Sequence, residues 1–104
     1  MTHDTASDFP ELRRVFSGYL HEDVLEESGS PEAALTMFWT DAAPDERRRF
    51  QHEVTRFLAH TSSLDLVALR DLVYQLGARW TPPTATALAG LLTEAAHLPE
   101  PPPR

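Results

Sequence analysis

Two stretches of this 104-residue chain set histidine and carboxylate side chains together within a helical segment, and each could do acid–base or metal chemistry. The first is Gly18-Tyr19-Leu20-His21-Glu22-Asp23. An imidazole beside two carboxylates suits proton transfer or the holding of a cation. The spacing here fits neither. Metal ligands carried on one helix sit three or four residues apart, as in His-Glu-x-x-His, so that they share a face. His21 and Asp23 are two apart and point to different sides. Tyr19 reads as a ring anchored in the core with its hydroxyl at the surface. The second cluster, His52-Glu53-Val54-Thr55-Arg56, begins like a zinc-protease helix but carries arginine where the second histidine must stand. His52 and His60 lie eight residues apart, two helical turns, too far to share a metal. Both read as surface histidines. No catalytic residue, metal or cofactor is expected.

Missing residue types close further routes. There is no cysteine, so disulfides, thiolate catalysis and cysteine-based zinc sites are excluded. All nine basic residues are arginine, which excludes a Schiff-base lysine and a P-loop lysine. No glycine-rich phosphate loop and no Gly-x-Ser-x-Gly elbow occurs.

Charge is the stronger signal. The net charge is −7, from 16 acids and nine arginines. Residues 1–32 hold eight acids and two arginines, a net of −6, so almost all of the excess lies in the first third. Glu22, Asp23, Glu26 and Glu27 repeat at i, i+1, i+4 and i+5, one side of a helix, where like charges repel by a few tenths of a kcal/mol per i,i+4 pair (about 0.2–0.5). Two readings stand side by side on charge alone: a patch that steers a basic partner, or a solvated face that aids solubility. Arg47-Arg48-Arg49 is the one basic run, with Arg56 further along the same segment. It offers the alternative of a small regulator that binds nucleic acid or another protein there. A DNA reader needs more positive charge along one face, and Asp45, Glu46 and Glu53 lie three or four residues from Arg48 or Arg49, so pairing within the helix accounts for the run.

These side chains must be positioned by helices. Proline and glycine cut the chain into pieces with apolar residues at helical spacing, and no piece alternates like a strand. The expected fold is all-α, one compact bundle of about five short helices. Leu12, Phe16, Tyr19 and Leu20 mark the first, which starts at Pro10 behind Asp8 or Phe9 and is expected to run past Gly18 to about Glu27. Ser30-Pro31-Glu32 starts the second, with Ala34, Leu35, Phe38 and Trp39 as its buried stripe. Pro44-Asp45-Glu46 starts the third, with Phe50, Val54, Phe57 and Leu58 inward. The fourth follows Ser62-Ser63, with Ser62 and Asp65 as a capping box, and its wide apolar face predicts the central place in the bundle. Gly77 caps it. The fifth runs from near Thr84 to about His97 and buries Leu88, Leu91, Leu92 and Ala95. Trp80 precedes it in a rigid loop. Residues 1–8 are expected to be disordered, 9–98 to form the single helical domain, and the proline-rich 99–104 to be a disordered tail. With no signal-like N-terminus and no apolar run of about 20 residues, a soluble cytoplasmic protein is expected.

Four stretches together resemble one group of contact-dependent growth inhibition immunity proteins: Phe9-Pro10-Glu11-Leu12, Phe16-Ser17-Gly18-Tyr19-Leu20-His21-Glu22-Asp23, Ser30-Pro31-Glu32-Ala33-Ala34, and Leu76-Gly77-Ala78-Arg79-Trp80-Thr81-Pro82. The resemblance covers about residues 9–95, and Gly-Tyr-x-His-x-Asp is its most specific part. Val24 stands where that group has tryptophan, Leu20 replaces an aromatic, and Leu91-Leu92 replaces a Trp-Leu pair; all three keep apolar character. The resemblance implies a cytoplasmic protein that binds a cognate toxin domain, commonly a nuclease, and blocks it without chemistry of its own. No membrane and no direct nucleic-acid contact is implied. Tyr19, His21, Glu22, Asp23, Glu26 and Glu27 are the residues expected at the partner.

Overall fold

The computed structural model describes residues 5–101. Among them a short 3-10 turn, Thr5–Asp8, precedes six α-helices and no strand: α1 Pro10–Tyr19, α2 Glu22–Ser28, α3 Pro31–Asp41, α4 Pro44–Thr61, α5 Leu66–Gln75 and α6 Ala85–Ala96. The all-α class holds, but the helix count is six where five were expected. The extra helix comes from a break inside the first predicted one, and the break has two causes. The Leu20 carbonyl accepts the Arg79 backbone N–H at 2.8 Å, a bond to the far end of the chain. His21 then takes extended backbone angles, and its Nδ1 accepts the Asp23 N–H at 3.3 Å, capping a new helix. Leu20 is fully buried at this corner.

The helix starts follow the sequence signals where a side chain can serve as its own cap. Ser30 accepts the Ala33 N–H at 3.1 Å, and Thr84 accepts the Ala87 N–H at 3.0 Å. The start of α5 differs from expectation: Asp65, not Ser62, is the cap, accepting the Ala68 N–H at 2.8 Å, because Thr61–Ser63 still belong to the end of α4 and its turn. α1 has no side-chain cap of its own at Phe9. Glu53, deep in α4, supplies it instead.

Nor is α5 the central helix. It buries Leu69, Leu72 and Val73, yet Val67 is 78% exposed and Tyr74 63% exposed. Its wide apolar face is only partly used because one side of the helix meets solvent. The centre is shared by α3, which packs on α1, α2 and α6, and α4, which packs on α1 and α6. Phe16, Phe50 and Phe57 are completely buried. Edge-to-face or tilted ring pairs join three helices: Phe16–Phe57 at 6.4 Å and Phe38–Phe50 at 5.0 Å between centroids. Trp39 is core, as its stripe predicted, and Trp80 is half-buried against that core.

Leu76-Gly77 turns the chain back under α1. Gly77 sits at φ +102°, and a Cβ there would lie 2.7 Å from the Ser17 Cβ, so the position requires glycine twice over. After α6 the chain lies along α3 and α4. The Trp39 indole N–H donates to the Pro99 carbonyl at 2.9 Å, and the buried Arg47 pairs with Glu100 at 2.8 Å. The expected tail therefore includes residues with defined contacts at 99 and 100; residues 102–104, like 1–4, lie outside the described residues.

Candidate functional site

The helix α2, about two turns long, is laid on the corner between α1 and α3. Val24 and Leu25 are half-buried and pack against the core. Those two inward residues fix the rotation of the helix, and the 3.6-residue repeat then sends Glu22, Asp23, Glu26 and Glu27 outward. All four are exposed. Asp23 keeps 89% of its side-chain surface in water.

These four lack an arginine partner, whereas four other acids have one. Glu11 pairs with Arg49 at 2.9 Å, Glu100 with Arg47 at 2.8 Å, Glu46 with Arg14, and Asp45 with Arg48. Glu53 is spent on the N–H groups of α1. Among the described residues no arginine reaches Glu22, Asp23, Glu26 or Glu27. The nearest cationic candidate is His21, whose Nδ1 stands 3.8 Å from Asp23 Oδ2 and already accepts a backbone N–H. Four carboxylates on one short helix thus project an uncompensated negative field.

His21 and Tyr19, expected beside the carboxylates, have structural work of their own. His21 caps α2, so its ring sits at the base of the acidic face. Tyr19 turns away from that face. Its ring meets Phe38 edge-on at 5.6 Å, and its hydroxyl donates to Asp41 Oδ2 at 3.4 Å. Burial pushes the Tyr19 pKa above its ordinary value of 10, and the Asp41 carboxylate raises it further. The structure thereby brings together two groups: the α2 acids with His21, and a separate groove with Tyr19, Asp41, Arg14 and Glu46. Asp41 was not marked by the sequence; a lone aspartate at a helix end carries no motif.

The arginine run does not form a basic face. Arg47 is buried, its guanidinium donating to the carbonyls of Trp39 at 3.1 Å and Ala42 at 2.6 Å. Arg48 pairs with Asp45 within the helix, as expected, whereas Arg49 crosses to Glu11 on α1. Arg56 donates to the Asp8 carbonyl and lies 5.4 Å over the Phe9 ring. No group of three or more histidines and carboxylates that could hold a metal occurs among the described residues, and no helix there is long and apolar enough to cross a membrane.

The profile of the CdiI immunity protein family matches residues 8–96, most of the chain and all six helices. The chain belongs to the CdiI immunity protein family. The family expected from residues 9–95 is thus the one found. No curated protein and no solved structure matches the chain. Membership of the CdiI family carries the role of an immunity protein, whose partner is a cognate toxin protein.

Proposed function

We propose that this CdiI-family chain neutralises its cognate toxin in the cytoplasm by binding a basic surface of the toxin domain through α2. The observation that carries this reading is the clustering of charge: Arg14, Arg47, Arg48 and Arg49 are each paired with a carboxylate elsewhere in the fold, while Glu22, Asp23, Glu26 and Glu27 stand exposed together on α2 with no arginine partner. A field of that kind raises the encounter rate with a cationic partner and fixes its orientation. A nuclease domain is the fitting class of toxin, because a surface that binds polyanionic substrate is basic. Occupation of that surface suffices for inhibition, and this chain needs to carry out no chemistry.

The test is the double variant Glu26→Arg/Glu27→Arg, measured against the purified toxin domain by surface kinetics over a range of salt. The expected result is an association rate at least about tenfold slower at low ionic strength, with a shallower salt dependence than the native chain. Unchanged affinity and unchanged salt dependence would remove α2 from the interface.

A further inference from the structure

Beside the acidic helix the surface holds a groove of about 180 Å³ lined by Arg14, Val15, Tyr19, Phe38, Asp41 and Glu46, with Ala42 at its end. We infer that this groove is a socket for a basic side chain of the toxin, with an arginine guanidinium as its best occupant. The inference rests on the reading of the chain as a toxin binder, and it adds a specific site to a diffuse field.

The floor and the head of the groove differ in chemistry. Val15, Phe38 and Ala42 are buried core residues whose outer edges form an apolar floor. Such a floor suits the methylene stem of a long cationic side chain. At the head stands Asp41, exposed, with the Tyr19 hydroxyl as its contact at 3.4 Å. Glu46 is already paired with Arg14, which leaves Asp41 as the groove's uncompensated charge. The Tyr19 ring supplies a π face or edge beside it, a surface on which guanidinium groups stack.

The helix end adds to this. Asp41 is the last residue of α3, where the helix dipole is negative. The same helix end already holds one guanidinium: Arg47 donates to the carbonyls of Trp39 and Ala42. A guanidinium is thus accommodated on the inner side of this terminus, while on the groove side the acceptor is the Asp41 carboxylate.

The groove is tested without the toxin. N-acetyl-arginine amide is titrated into the full-length chain and followed by amide and aromatic NMR shifts, with the uncharged isostere N-acetyl-citrulline amide in parallel. The expected result is saturable shifts at Val15, Tyr19, Asp41 and Ala42 for the arginine probe, at least about tenfold weaker for citrulline, as a charge-assisted hydrogen bond requires. Asp41→Asn abolishes the difference between the two probes. Tyr19→Phe weakens the arginine response, and Glu26→Arg/Glu27→Arg leaves it in place. Equal responses to both probes, shifts located elsewhere, or an arginine response that survives Asp41→Asn would overturn the socket. Because the α2 double variant is read against the toxin and the socket against a small probe, failure of one is distinguishable from failure of the other.

Discussion

The carboxylate of Glu53, midway along α4, closes the N-terminus of α1: its Oε1 accepts the Leu12 N–H and its Oε2 the Glu11 N–H, each at 3.0 Å. Glu53 is buried, and 41 residues separate it from Leu12. A buried carboxylate is tolerated there because the helix offers two free N–H donors and the positive end of its dipole. The helix that leads into α2 is therefore set by a residue of α4. Glu53→Ala leaves two N–H groups without an acceptor and costs about 2–3 kcal/mol of stability, whereas Glu53→Gln, which keeps one good acceptor, costs about 1 kcal/mol. Urea denaturation of the three proteins checks the order and the size.

Two glycines respond oppositely to alanine. Gly90 lies inside α6 with open space where a Cβ would stand, so Gly90→Ala stabilises by about 0.5–1 kcal/mol. Gly77→Ala combines a left-handed backbone with a contact against Ser17 and is destabilising by more than about 1 kcal/mol. Thermal melts of the pair separate backbone freedom from close packing.

Much of this fold was legible in the chain. The capping residues Ser30 and Thr84 and the inward stripes of α3, α4 and α6 stand as their spacing implies, because local hydrogen bonds and amphipathic period decide them. Long-range partners decided the rest. The split at Leu20-His21 rests partly on the distant Arg79 N–H, which supplements the local His21 cap and has no signal in the sequence near Leu20. Glu53 reads in sequence as a partner for a nearby arginine, and only packing of α4 on α1 turns it into a cap. The acidic side of α2 was visible as a spacing of charges. The groove at Asp41 was not, since it is assembled from α1, α3 and α4.

Tyr19 gives a pH signature. Its pKa is raised above 10 by burial and by Asp41, so the folded state favours the neutral phenol. The sign follows from linkage: the contribution is complete below the unfolded value near 10 and is lost as pH rises through the higher folded value. Stability thus declines in alkali, and Asp41→Asn brings the Tyr19 titration closer to 10. Phenolate absorbance, or the Tyr19 ring resonances across an alkaline titration, measures the displacement in each protein.

The central claim is that the chain neutralises a toxin through contact made by α2. Its most direct test is co-expression with the toxin domain encoded beside it, scoring growth and co-purification for the native chain and for Glu26→Arg/Glu27→Arg. The account predicts rescue and co-purification with the native chain, and loss of both with the double variant while its helical signal and melting temperature hold. Full rescue and undiminished co-purification by the double variant would contradict it.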